Sequence, residues 1–148
     1  MTAEPLTLID ALYLALHMRD IDVQEIFATK HHHDFERFAI ECVGYGGVVY
    51  KNKRGVPVAM GGIHEVWPGV GAAWMVATPE IEKHGVALTK LGKELMETAT
   101  HLHRIQALSA DFHTVSHEWL LSIGFRRGPT LERYGCNGED FYMFEIVR

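Results

Sequence analysis

Apolar positions along the chain change their spacing near residue 47, dividing it into a helical amino-terminal third and a remainder in which strands and helices alternate. Ile9, Leu12, Tyr13 and Leu16 fall at i, i+3, i+4 and i+7 after a Thr7/Asp10 capping pair, which predicts a helix running to about Arg19. Residues 22–28 read as a second short helix, residues 30–34 as a polar break, and residues 35–43 as a third helix ended by Gly44, Gly46 and Gly47. A strand before Thr7 is absent or very short. From Gly47 the pattern turns to strands: residues 48–50, a Lys-Asn-Lys-Arg-Gly turn, then residues 56–66. After the break at Trp67, Pro68 and Gly69, residues 70–77 read as a buried strand. Leu88, Leu91, Leu95, Ala99 and Leu102 then keep helical spacing from a start at about Gly85. Residues 106–110 read as a strand, residues 114–122 as a helix, and the last two strands are expected around residues 132–134 and 141–147. There is no internal repeat and no linker rich enough to divide the chain.

Composition narrows the picture. With 148 residues and 47% hydrophobic content, the chain is sized for one domain over residues 1–148 with a substantial core. A formal charge of −5 leaves no broad basic field, so nucleic acid is not an expected partner, and the basic cluster at residues 51–54 reads as a solvated hairpin tip. Cys42 and Cys136 are too few for a disulfide framework or a zinc site and suit a reducing compartment. No stretch of about 18 apolar residues occurs, and the start carries Glu4 and Asp10, so a soluble, intracellular protein without membrane span or signal peptide is expected. His31, His32 and His33 are adjacent in a predicted loop with no ligand pattern to complete a site, so no metal is expected.

The run from Pro79 to Ala87 joins a buried strand to a helix through a loop with glycine at Gly85, so free amides and the positive helix end point past the strand. That arrangement suits a pyrophosphate. Glu82, Lys83, His84, Gly85, Val86 and Ala87 resemble motif A of the GNAT acyltransferases, Q/R-x-x-G-x-G/A, with an acidic residue in the first position. Ile123, Gly124 and Phe125 resemble the same superfamily's helix-ending hydrophobic-Gly-Phe signature. The stretch 17–26, residues 56–62 and the aromatic ending at residues 140–144 are similar to a narrower set, the small GNAT-like proteins of tailed phages, some of them internal virion proteins.

The resemblance implies an α/β fold: a mixed, mostly antiparallel sheet with a central V-shaped split, flanked by helices on both faces. It implies acetyl-CoA or CoA as cofactor, held by Met75, Val76, Ala77, residues 82–87 and Leu120, with a backbone amide near Met75 or Val76 polarising the thioester carbonyl. The family's thiolate-protonating tyrosine falls on Leu120, which has no proton to give, and its helix-start asparagine falls on His113, a substitute acid or a histidine bonding locally. The usual strand glutamate falls near Gly71 or Ala72, leaving Glu65 or His64 as substitute bases on opposite faces of their strand, or as ordinary solvent-facing residues. Glu82 beside a pyrophosphate oxygen at about 4 Å costs on the order of a few kcal/mol at a surface dielectric, offset by Lys83 and His84. Tyr45 and Tyr134 are the replacement acids to examine, and residues 135–138, with Cys136, form either a cover for the split or a plain loop.

Two functions follow. One is an acetyl-CoA-dependent N-acetyltransferase acting on a small amine or a protein lysine. The other is a non-catalytic GNAT-like phage protein serving virion assembly or host-protein binding, with a CoA-sensing module as a third possibility. The implied location is the cytoplasm of an infected or prophage-carrying bacterium, or the virion.

Overall fold

Strands β1 (Thr2–Pro5), β2 (Val48–Lys51), β3 (Pro57–Trp67), β4 (Val70–Ala77), β5 (Arg104–Ala110), β6 (Arg126–Leu131) and β7 (Phe141–Val147) join in a computed structural model that describes residues 2–148. They form a seven-stranded sheet in the order β1-β2-β3-β4-β5-β7-β6. Every neighbouring pair is antiparallel except β4 and β5. Helices α1 (Leu8–Leu16), α2 (Asp20–Phe27) and α3 (Phe35–Tyr45) precede β2, α4 (Gly85–Thr98) connects β4 to β5, and α5 (Thr114–Ser122) follows β5.

The helices cover both faces because strand side chains alternate. Met60 and Val76 pack with Leu14, Phe27, Phe38 and Cys42 from the first three helices. Ala59 and Ala77, their neighbours in sequence, pack with Leu88 of α4 on the other side. A further core joins α4 and α5 to β5 and β7 through Met96, Leu120, Ile123, Ile105 and Phe144. Burial pushes the Cys42 thiol up to about 12, so it stays a neutral packing group.

Three boundaries depart from expectation, and the very short strand allowed for before Thr7 meets it. α1 ends at Leu16 rather than Arg19, because the chain turns at His17 before α2 starts at Asp20. α3 runs through Gly44 to Tyr45 and stops at Gly46, whose φ of 76° reverses the backbone. The short β1 is present, paired along the outer edge of β2. The strand expected at residues 132–134 is a turn, and β6 lies earlier, at Arg126–Leu131. Gly128 and Pro129 look like breakers, but β6 is an edge strand with a register shift between Arg127 and Thr130, where a proline removes no essential ladder bond.

The feature that positions the site is the short pairing of β4 with β5. Their register covers only Val70↔Arg104, Gly71↔Ile105 and Ala72↔Gln106, after which the parallel strands diverge toward their carboxyl ends. At the paired end a Cβ on Gly71 would meet Ile63 Cγ2 at 2.6 Å and Leu102 Cδ1 at 2.8 Å, so that end is filled. The other end is open.

Candidate active site

A cavity of about 540 Å³ occupies the divergence of β4 and β5 and continues between α4 and α5. Its walls include Ala73, Trp74 and Met75 of β4, Ala107 and Leu108 of β5, Leu88 and Leu91 of α4, and Ser116 and Leu120 of α5. At its base the helices touch: a Cβ on Gly92 would lie 2.9 Å from Trp119 Cζ2. The Trp74 indole N–H is buried without a hydrogen-bond partner among the described residues.

Hydrogen bonds at the strand ends fix which main-chain groups face the gap. Thr78 N–H donates to Val58 O of β3 at 2.9 Å, whereas Ala77 N–H donates away from β3, to Asp22 Oδ2 at 2.9 Å. Alternation therefore turns the Met75 amide toward the gap and the Val76 amide toward β3. On β5, Asp111 N–H donates to Asp140 O at 2.9 Å while Ala110 N–H donates to Glu25 Oε2 at 2.9 Å, which turns Leu108 toward the gap as well. Of the two amides that sequence nominates beside the thioester, only Met75's faces the split.

The phosphate-loop residues divide likewise. After β4, residues Pro79–Lys83 form a 3₁₀ turn, with Ile81 N–H donating to Thr78 O at 3.1 Å and His84 N–H to Ile81 O at 2.9 Å. α4 begins at Gly85, and the first α4 amide bonded back to the chain end before it is Leu88, to His84 O at 3.0 Å. No side chain caps this helix, so the amides of Gly85, Val86 and Ala87 have no partner among the described residues. A Cβ on Gly85 would meet nothing within 4 Å, and its φ lies outside the range only glycine favours. Its backbone is open to an approaching ligand, with Val86 89% exposed beside it. The His84 ring faces inward, 3.3 Å from Tyr50 Oη and 3.4 Å from Glu80 Oε1, rather than toward that space. Glu82 and Lys83 are exposed, and Glu82 lines the cavity.

The gap is spanned at its wide end by α2. Asp22, 1% exposed, accepts from Arg19 Nε and Nη2 at 3.0 Å each, from Ala77 N–H, and pairs with His113 Nε2 at 2.7 Å. His113 is the N-cap of α5, its Nδ1 accepting from Ser116 N–H at 3.4 Å, so Nε2 carries the proton donated to Asp22. Both ring nitrogens are thus committed. The reason is that the ring caps a helix and joins a buried carboxylate, which makes His113 a positioning residue rather than a free acid. One turn along α2, Glu25 holds Ala110 N–H and accepts from Ser109 Oγ at 3.4 Å, both through Oε2. Burial raises the Glu25 pKa above the ordinary carboxylate value, with the His113 ring and the Ala110 N–H opposing that rise. Glu25 lines the cavity.

The other nominated residues lie elsewhere. Glu65 is exposed at the β3–β4 turn, where it accepts from Gly69 N–H at 3.1 Å, beside the paired and filled end of the strands. Its place in the strand alternation was readable, but not that β3 carries it away from the opening. His64 packs on Tyr45 at 4.9 Å between ring centroids, and Tyr134 on Phe141 at 5.6 Å. Leu120 lines the cavity, as the resemblance implies, and supplies no proton. The loop at residues 135–138 docks on the end of α2 through Cys136 N–H to Ala28 O at 2.7 Å. Of the loop histidines, His32 pairs with Glu41 at 3.3 Å, and among the described residues no group of three or more His, Cys, Asp or Glu is placed to hold a metal. No helix of the described residues is long and apolar enough to cross a membrane.

Compared with known proteins, this arrangement has clear structural relatives. An acetyltransferase of the GNAT family from Bacillus anthracis superposes with a TM-score of 0.71 at 18% identity, over 98% of this chain and 93% of that one. The fold is the GNAT fold. A ribosomal-protein-alanine N-acetyltransferase from Brucella melitensis shares it with a TM-score of 0.73 at 18% identity, over 100% of both chains. A spermidine N-acetyltransferase variant from Vibrio cholerae does so with a TM-score of 0.72 at 14% identity, over 99% of this chain and 95% of that one. The sequence matches no protein-family model, and no curated protein matches it. Sequence reasoning missed Glu25 and Asp22, whose partners lie 85 and 91 positions away for Ala110 and His113 and leave no local pattern.

Proposed function

We propose that the chain is an acetyl-CoA-dependent N-acetyltransferase acting on an amine. The observation that carries this reading is the start of α4: three consecutive unpartnered amides, at Gly85, Val86 and Ala87, with open space where a Gly85 side chain would project. A free helix end of this kind binds anions through its N–H groups and its dipole. Gly85 has no steric or φ requirement within the chain, so a ligand approaching the backbone accounts for it. The apolar cleft between α4 and α5 suits a pantetheine arm. When bound, acetyl-CoA supplies an activated acyl group. The Met75 amide, turned into the gap, is the donor suited to charge developing on a carbonyl oxygen there. Asp22 and His113 hold the ends of β4 and α5 in place.

Leu120 and the committed His113 ring favour a second reading, a CoA-binding protein without turnover, serving a sensing, virion or host-binding role. Native mass spectrometry of freshly purified protein, with and without millimolar acetyl-CoA, tests the first. We expect an adduct of the cofactor's mass that disappears in Gly85→Glu, together with acetylation of an amine in a purified assay. No adduct and no rise in melting temperature at millimolar acetyl-CoA would sink the proposal. An adduct without acetylation of any amine would favour the second reading.

A further inference from the structure

We infer that Glu25 is the acceptor-amine site, with Oε1 taking the proton from a single primary ammonium carried on an apolar group. The inference rests on the acetyltransferase reading and names its acceptor class. Both hydrogen bonds of this carboxylate, from Ala110 N–H and Ser109 Oγ, use Oε2, which fixes the group's plane. Oε1 has no partner among the described residues, and the side chain lines the cavity. A carboxylate held by one oxygen with the other facing a cavity is arranged to receive a donor.

Its position fits. Ala110 ends the β5 edge of the gap, just as Ala77 ends the β4 edge, so Glu25 stands over the opening toward which Leu108 and Met75 turn their main-chain groups. The charged groups around it are accounted for: Asp22 is bound by Arg19 and His113, and the His113 ring keeps its Nε2 proton on Asp22. Neither competes for Oε1. In the transfer of the proton, one ammonium N–H bond breaks, an O–H bond forms at Oε1, and the electron pair stays on nitrogen. The proton then leaves to water through the cavity mouth. Burial that raises the Glu25 pKa narrows the gap to an ammonium and makes the carboxylate a better base.

The surroundings define the acceptor. Ile26, Leu108, Phe141 and Met143 line the cavity together with Glu25. The other carboxylate on the lining, Glu82, is exposed by the α4 start, on the opposite face of the sheet from α2. A polyamine would leave its further ammonium groups against an apolar wall, which is costly, whereas an arylalkyl monoamine fills it.

Two measurements decide the point. In the first, the Glu25 side-chain carboxyl of wild-type protein without cofactor is titrated by carbon NMR, alone and with 2-phenylethylamine or spermidine. The phenylethylamine should lower the Glu25 midpoint and spermidine should lower it less; no shift, or a larger one with spermidine, overturns the inference. In the second, wild type and Glu25→Gln are compared for acetyl-CoA adducts and for acetylation of 2-phenylethylamine. We expect equal adducts and a loss of roughly 100-fold or more in turnover, with the acidic limb of the pH profile abolished. Turnover retained in the variant, or no wild-type turnover despite an adduct, also overturns it. Absence of the adduct itself instead defeats the cofactor reading, and the cofactor-free titration still judges Glu25.

Discussion

The two faces of the split are built by different means. On the α4 side the groups offered to a ligand are main-chain amides at Gly85, Val86 and Ala87, produced by a helix starting where no side chain caps it. On the α2 side the groups are carboxylates, Asp22 and Glu25, brought from an earlier helix to the ends of β4 and β5. A backbone cradle tolerates changes of side chain; a carboxylate bridge fails with one substitution. The first is therefore local and robust, and the second is distant and sensitive.

The largest effect should come from breaking the bridge. Asp22→Ala leaves Arg19, the His113 ring and the Ala77 amide without their shared acceptor, and removing one partner from such a buried network costs about 3–5 kcal/mol. The urea midpoint should fall accordingly, and a midpoint near wild type would show that the bridge is dispensable. On the cradle side the opposite pattern is expected. Gly85→Ala should leave stability unchanged or raise it by up to about 0.5–1 kcal/mol, since the new methyl meets nothing within the chain. The same substitution should weaken acetyl-CoA binding about tenfold or more by calorimetry, because the methyl occupies the approach to the amides; unchanged affinity would move the anion elsewhere.

A third substitution sharpens the electrostatics. Glu82→Gln should tighten acetyl-CoA by roughly fivefold, because removing one exposed like charge near a phosphate is worth about 1 kcal/mol at water's dielectric. The gain should shrink as salt is raised to about 1 M, where screening acts within about 3 Å.

The smallest effect is a pH-dependent one at Glu25. Burial raises its pKa in the folded chain, so the folded state holds that proton more tightly than the unfolded state does. Its contribution to stability is full below the unfolded value of about 4.5 and is lost as pH rises through the raised folded value. Glu25→Gln removes this loss while keeping an acceptor for Ala110. The variant should melt above wild type at about pH 7 and coincide with it at about pH 4 in scanning fluorimetry. A lower melting temperature at both values would mean that Gln does not replace the Ala110 contact.

The same contrast explains what the sequence reveals. β4, α4 and α5 are legible because their signals are local: a continuous apolar run, leucines at helical spacing, and a glycine after Ile123, which ends α5 with φ 113° at Gly124. Gly85 is legible too, since a strand, a loop and a helix meet there in consecutive residues. β6 is hidden in the sequence because Gly128 and Pro129 signal a turn, and only its edge position in the sheet permits them. Glu65 is nominated by its nearness in sequence to Gly71 and Ala72, and strand alternation separates it from His64 by face but gives no information about where along the strand a gap will open. Glu25 lies in the stretch 17–26 that carries the narrower resemblance, but nothing there marks it as a site residue, and its place at the gap exists only once β5 ends against α2.

Because Asp22 and Glu25 lie three residues apart on one helical face, both grips move together when α2 moves. The carboxyl ends of β4 and β5 are therefore both tied to one helix, whose own end is docked on the turn at Cys136. Exchanging one turn of that helix would alter both strand ends at once, while the unpartnered amides at the α4 start stayed untouched.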